Sequence, residues 1–514
     1  MTDYFSENKA EAGHGWLSAR TGARCAVIRA VNGIFQLALF LILARQLTPE
    51  DYGLVAMVLA FTGFAPLIVD LGTRDAVIQK PRIAESELAA LFWITVAVGL
   101  FFTLLMAATS PLIAWFYHEP RLLTVTLVSS LTFLTTALAC QHNGLLRRSM
   151  RFQTVALIEV VAGALSGIIA IAMAWRGWHY WALIIRPIAM HLLNAAGVWF
   201  CCRWVPAKPA LTSSVGGMIK FGVNVIGSSF TDFLKGNADR VAIGRGYGAE
   251  KLGHYQNAFM VYDNLLSLTT NALDVATGSL SKLVHDVKEF RRVWSNALSA
   301  VTFYAIPAFG IMAVTSQDVI LLVLGSKWST AGVLLSILAM RGIPHVVERT
   351  QGWLHLPAGR PDRALRWGVF ATFAQLAALF VGLRFGSTGV VVAYTACMYL
   401  MFLPAVSYAG RPLGIGAAEV IKAAGPQLFG AVTSAAIGFF LRYAVLHDVS
   451  GIERSVALAI VYAVSYVIIV VGAFKVRMPL KVAIALGEDL IPRRFSAAKA
   501  MGKGVSMKGP AKAV

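Results

Sequence analysis

The chain is expected to fold as an all-α polytopic membrane protein of about fourteen transmembrane helices, set out as two pseudo-symmetric six-helix lobes (parallel repeats) plus two extra C-terminal helices. Three observations lead there. Of 514 residues, 57% are hydrophobic and 14% charged, where soluble chains average about 25% charged; mean hydropathy is +0.67. Apolar runs near the roughly 20 residues that a bilayer core demands follow one another along the sequence. Finally, the charged turn LILARQLTPEDYG (Leu41 to Gly53) returns as VAIGRGYGAEKLG (Val241 to Gly253), with Arg45, Glu50 and Gly53 matched by Arg245, Glu250 and Gly253 at a constant offset of 200 residues. Both copies close one apolar segment and open another, the mark of an internal duplication.

In order, the spans fall at about 24–45, 52–72, 87–109, 121–143, 153–174 and 178–202, then at about 214–243, 252–280, 294–315, 330–355, 364–384 and 387–409, and last at about 418–445 and 454–475. The expected divisions are a cytoplasmic segment 1–23, an N-terminal lobe 24–210, a C-terminal lobe 211–410, two added helices 411–476 and a basic tail 477–514. An even number of spans separates the two copies of the turn, so both lie on one face and the lobes are related by an axis along the membrane normal. Weaker echoes agree: TSPLIAWFY from Thr109 and TSQDVILLVLG from Thr315 each close the third span of a half.

The net charge of +19 is read through the membrane. With the N-terminus cytoplasmic, roughly 30 basic residues fall on the cytoplasmic side and about nine on the other. Both termini are therefore expected in the cytoplasm, the excess charge serves anionic headgroups, and nucleic acid is not an expected partner. Cys25, Cys140, Cys201, Cys202 and Cys397 lie in or beside apolar runs and imply no disulfide framework. No cleaved signal is evident in the first twenty or so residues. The tail reads as a short amphipathic helix followed by a Lys, Gly and Ala stretch.

No loop is long enough to hold a catalytic domain. Nucleotide loops, zinc-ligand spacings and nucleophile elbows are absent, and the Gly-rich string around Gly244 lacks the strand that would make it a dinucleotide site. No cofactor, metal or catalytic residue is expected. Function must then reside in polar residues within spans, where burial is costly. In the seventh span Asn224, Ser228, Thr231, Lys235 and Asp239 recur at helical spacing, with Asp232 beside them and Arg240 next in sequence. The eighth carries Asn264, Ser267, Asn271, Asp274 and Gly278; the first carries Arg29, Asn32 and Gln36; the tenth carries Arg341, His345, Glu348 and Arg349. Arg186, followed by Pro187, lies in the sixth.

These stripes suggest polar faces turned to a common cleft. Arg29, Asn32, Gln36, Arg186, Lys235, Arg240, Asn271, Arg341 and Arg349 are the candidate substrate-binding residues. If the tenth span begins near Thr330, Arg341 lies roughly 16 Å deep at 1.5 Å per residue. Cations at several depths suit an anionic headgroup, because charge-assisted hydrogen bonds replace its lost hydration. Asp232, Asp239, Asp274 and Glu348 are the candidate ion-coupling residues: a carboxylate near Lys235 can take up a proton when substrate is absent and release it when substrate competes. The alternative stays open that acids and bases pair only to hold helices together. Pro66, Pro187, Pro307, Pro344 and Pro426 supply either hinges or packing kinks.

With these residues laid out, LARQLTPEDYGLVAM, DLGTRDAVIQK, AWFYHEPRL, LLRRSMRF and NADRVAIGRGYGAEKLGHYQNAF together resemble the polysaccharide-transporter (Wzx-type) oligosaccharide flippases of the multidrug/oligosaccharidyl-lipid/polysaccharide exporter superfamily, from about Arg24 to Gly410. Arg45, Glu50, Gly53, Asp239, Gly244 and Gly253 match the family pattern and are taken to shape turns. The resemblance implies a flippase of the bacterial inner membrane that moves undecaprenyl-diphosphate-linked oligosaccharide units for exopolysaccharide, O-antigen or capsule assembly, by alternating access of two lobes around a cationic cavity. Its expected partners are that lipid, the surrounding membrane lipids, H+ or Na+, and polysaccharide polymerase and chain-length or export proteins. Two other classes stand beside it: an ion-coupled drug or organic-cation antiporter of the same superfamily, which would want an acidic cavity, and a membrane-embedded polymerase or ligase, which would want a large outer loop.

Overall fold

The computed structural model describes residues 15–70, 72–80, 83–208, 215–281, 283, 286–355, 359–449 and 451–476, and among these leaves out the side chains of 15–26, 75, 76, 79, 215–232, 234, 235, 270–279, 281 and 361. The expected amphipathic helix of the tail lies outside the described residues.

Every described element is helical. The first half runs α1 (Gly15–Gln46), α2 (Pro49–Thr62), α3 (Ala65–Asp70), α4 (Thr73–Gln79), α5 (Glu85–Tyr117), α6 (Arg121–Ser129), α7 (Leu131–Arg148), α8 (Phe152–Trp175) and α9 (Trp181–Cys202). The second runs α10 (Val215–Ser281), α11 (Val287–Leu324), α12 (Ser329–Arg349), α13 (Gly352–His355), α14 (Pro361–Gly382) and α15 (Gly386–Gly410), and is followed by α16 (Ala417–Ala444) and α17 (Ile452–Val467). Eleven stretches among the described residues are long and apolar enough to cross a membrane. The difference from the expected fourteen has two sources: Asp362–Leu413 is one stretch holding two helices, and the fully described part of α10, which carries Asp239, Arg240, Arg245, Glu250, Lys251 and Asp263, contributes none.

Local chemistry accounts for the boundaries. At the start of α2, Thr48 Oγ1 accepts the Asp51 amide at 3.2 Å and Asp51 Oδ2 accepts the Thr48 amide at 2.9 Å, with Pro49 in the first turn, a reciprocal cap that satisfies two orphan donors. α10 breaks once, at Gly248, where φ is +79°, a backbone region that only glycine enters without strain. The break divides α10 into arms 215–247 and 249–281, at the places expected for the seventh and eighth spans.

In the first half α8 packs against α1 and α9, and α7 against α5 and α9; in the second, α12 packs against α10, α11 and α15, and α15 against α14. The two added helices lie on α11. There Asp318, 1% exposed at its side chain, is held by Arg442 of α16 at 2.6 Å and by Arg454 of α17; a buried acid left unpaired would be strongly destabilising. The most extensive meeting of the two halves is α2 against α10, with Phe64 and Phe233 edge to face at 5.5 Å.

Candidate functional site

Between α1, α2 and α9 on one side and the 249–281 arm of α10 on the other lies a cavity of about 1150 Å³. α1 contributes Arg29, Gly33, Gln36 and Phe40, and α10 contributes Gln256, Met260, Asn264 and Ser267, each set at the spacing of one helical face. α9 adds Arg186 and α2 adds Tyr52. Arg186 Nη2 donates to Gln36 Oε1, and Gln36 Nε2 donates to Asn32 Oδ1 at 3.4 Å. Gly163 of α8 lies so near that a Cβ there would sit 2.8 Å from Gln36 Nε2, so the amide is fixed from behind. This chain of contacts aims one guanidinium while leaving its other N–H groups to the cavity. Opposite, Gln256 Oε1 is buried with no partner among the described residues, a deficit of about 1–3 kcal/mol that water or a bound polar group would relieve.

The cavity is shut at the end where α1 gives way to α2. Arg45 donates from Nε to the Val323 carbonyl and from Nη2 to that of Leu322, both at 2.8 Å, covering orphan carbonyls at the C-terminus of α11. Lys327 Nζ reaches the carbonyls of Arg45 at 2.8 Å and Leu47 at 2.6 Å, and Trp328 Nε1 that of Ala44 at 2.8 Å. Trp328 is 0% exposed and meets Tyr52 edge to face at 5.4 Å. Arg245, the repeat mate of Arg45, lies 5.8 Å over Phe116 near the end of α5. Nearby, Arg121 pairs with Glu50 at 2.6 Å and with Glu119 at 2.7 Å, and its guanidinium holds the Glu119 carboxyl below the usual carboxylate range.

The candidate residues of the second half gather elsewhere. Asp239, 5% exposed, accepts the hydroxyl of Tyr255. Arg240 donates to Asn237 and stands 4.6 Å over Phe259. Arg341 stands 5.2 Å over the ring of Tyr394, with its Nε buried and unpartnered. Glu348 accepts from Gln351 at 2.6 Å, His345 meets the Tyr262 hydroxyl at 2.7 Å, and Arg349 is exposed at the end of α12.

The described members of the expected common cleft fall in two places. Arg29, Gln36, Arg186, Asn264 and Ser267 do share one cavity, and Asn32 supports it. Arg240 and Arg341 are not part of its described lining: Arg240 stands over Phe259, and Arg341, on α12 packed between α10 and α15, stands over Tyr394. Asn224, Ser228, Thr231, Lys235, Asn271, Asp232, Asp274 and Gly278 lie outside the described residues as far as their side chains are concerned. Sequence reasoning passed over Gln256 and Tyr52. The signal for Gln256 was present: the 200-residue offset pairs it with Ala56, and both line the cavity.

Comparison with known proteins adds four findings. A family model described as "Polysaccharide biosynthesis protein" matches residues 42–332. The teichuronic acid biosynthesis protein TuaB of Bacillus subtilis (strain 168) is 26% identical over 361 residues, 69% of this chain and 74% of that one. The lipopolysaccharide biosynthesis protein WzxC of Escherichia coli (strain K12) is 25% identical over 384 residues, 73% of this chain and 77% of its own. Among solved structures, the lipid II flippase MurJ in an inward closed conformation superimposes with a TM-score of 0.66 at 14% identity, over 88% of this chain and 98% of that chain. At that identity the likeness is one of fold.

Proposed function

The chain belongs to the polysaccharide biosynthesis protein family, and from that premise we propose that it carries lipid-diphosphate-linked oligosaccharide across the bacterial inner membrane. This is transport, not catalysis. The observation that supports it best is the cavity of about 1150 Å³ with Arg29 and Arg186 in its wall, larger than the roughly 300–1,000 Å³ of ordinary small-molecule pockets. A diphosphate entering the membrane loses hydration worth several kcal/mol, and guanidinium groups return it as charge-assisted hydrogen bonds. The described lining holds two arginines and no acid, which favours an anionic lipid over the organic cation of an antiporter.

The excess of Lys and Arg on one set of connections supports an orientation with both termini cytoplasmic. In that orientation the clasp of Arg45, Lys327 and Trp328 closes the outer end, and the cavity belongs to an inward-facing state. Export requires these contacts to break while the two halves rock about the α2–α10 crossing. With no nucleotide-binding motif, direction comes from an ion gradient or from removal of product on the outer side, and Asp239 beside Tyr255 is the described carboxylate best placed to bind H+ or Na+. Asp232, Asp274 and Glu348 remain candidates for the same role, as do Lys235, Asn271, Arg240, Arg341 and Arg349 for substrate contact along the path. Polymerase and chain-length or export proteins are the proposed partners that take up the product.

Reconstitution tests the reading. Vesicles holding purified protein and undecaprenyl-diphosphate-linked oligosaccharide should expose the glycan to an external glycosidase, and Arg29→Ala and Arg186→Ala should abolish this while the protein stays in the membrane. A wild-type protein that moves no such lipid, or that elongates the glycan unaided, overturns it. Loss of dependence on an imposed pH gradient in Asp239→Asn would locate the coupling.

A further inference from the structure

Two helix junctions and one proline-bearing helix converge on one spot beside the cavity. α2 gives way to α3 at residues 63 and 64, α6 gives way to α7 at Ser130, and α9 carries Pro187 within it. Gly63 and Pro66 from the first, Ser129 and Thr132 from the second, and Pro187 and His191 from the third line a pocket of about 160 Å³. Val55, Leu59, Leu183 and Pro187 belong to its wall and to that of the large cavity, so the pocket is a chamber lying directly beside the transport site.

Its chemistry is mixed in a particular way. A backbone group freed at membrane depth persists only where protein or a cavity covers it, and transporter binding sites are often built around such groups. Pro187 has no N–H, so the carbonyl of Leu183 loses its intrahelical donor. The side chains of Ser129, Thr132 and His191 make no hydrogen bond among the described residues, an expensive condition for polar groups in a membrane. Apart from Thr62, whose hydroxyl is already donated to the Val58 carbonyl at 3.1 Å, the remaining wall is apolar, and among the described residues no Asp, Glu, Lys or Arg is part of it. A phosphate or metal ion would find no opposing charge there, and a lipid tail would bury the polar groups unsatisfied. A pyranose ring, with hydroxyls at its rim and C–H bonds on its faces, matches both kinds of lining.

Position agrees with chemistry. His191 follows Pro187, which lines both the chamber and the large cavity beside Arg186, by four residues on one face of α9, about 6 Å along the axis. We propose that this chamber receives one pyranose ring of the lipid-linked glycan and thereby selects which repeat unit is carried. The proposal rests on the transport reading above.

Binding to the full chain in nanodiscs tests it, with undecaprenyl diphosphate as one probe and undecaprenyl-diphosphate-linked mono-, di- and trihexoses as the others. The sugar-bearing lipids should bind about tenfold more tightly than the bare lipid, as one or two added hydrogen bonds allow. Thr132→Leu, which fills the chamber, and His191→Leu should each bring that ratio close to one; Ser129→Ala and Thr132→Val, which add no volume, should lower it part of the way. A ratio near one in wild type, or a ratio left unchanged in all four variants, overturns the proposal. Should wild type bind none of these lipids, the transport reading falls as well, which separates the two failures.

Discussion

Gly53 and Gly253 face each other where α2 crosses the 249–281 arm of α10, and each accepts the other helix in place of a side chain. A Cβ on Gly53 would overlap the carbonyl of Ala249, and one on Gly253 the carbonyl of Pro49. These partners are themselves 200 residues apart. The contact is thus isologous, the same patch used by both copies of the repeat, as a two-fold relation requires.

Backbone leaves no room to yield, so Gly53→Ala and Gly253→Ala should each cost about 1–3 kcal/mol. Because the two sites share one crossing, the double variant should depart from additivity. Gly33→Ala, where nothing stands within 4 Å of the added carbon, should be neutral. Thermal unfolding in detergent and abundance in the membrane measure all four.

The guanidinium of Arg186 depends on Gln36 for its aim. Gln36→Ala should lower transport roughly 10–100-fold, the worth of a hydrogen bond to a charged group at about 1.5–3 kcal/mol. Arg186→Lys should rescue little, since an ammonium cannot present the planar set of donors. Initial rates of flipping in vesicles over a range of lipid concentrations provide the measure, and a Gln36→Ala protein with unchanged rates would refute the link.

The clasp can be weakened bond by bond. Trp328→Phe keeps a ring against Tyr52 and removes the donor to the Ala44 carbonyl; Lys327→Met removes the donors to Arg45 and Leu47. Loss of the neutral Trp328 bond should favour the open form by roughly 1 kcal/mol, about a fivefold shift, and loss of the charge-assisted Lys327 bonds by more. In proteins carrying Gln256→Cys as reporter, labelling by a membrane-impermeant maleimide from the clasp side should quicken accordingly.

Acid should loosen the same end. Glu119 has its pKa depressed by the hydrogen bond from Arg121, so its contribution to stability is complete above the unfolded-state carboxylate pKa and is lost as pH falls through the lower folded value. Thermal stability should decline across that window in wild type and decline less in Glu119→Gln. The effect is small, because Arg121 is 43% exposed and solvent screens the pair.

Much of this was legible in the residues. Bilayer-length apolar runs and the duplicated motif are local patterns, read within one helix or across one constant offset. The polar stripe of α1 that carries Arg29 and Gln36 is also a local spacing that needs no partner to be seen, and Arg186 stands out as a lone cation within an apolar run. What those faces meet is another matter. Arg341 lies on as clear a stripe as Arg29, yet where α12 packs against α15 it stands over Tyr394, outside the described lining of the cavity. The chamber of Ser129, Thr132 and His191 draws on three helices far apart in sequence, and its pieces look like ordinary junctions until they converge. Hydrophobic period and turn chemistry act over a few residues and determined which segments cross; which face of each helix meets which neighbour is decided by side chains interlocking across hundreds of residues, and that only the tertiary structure decided.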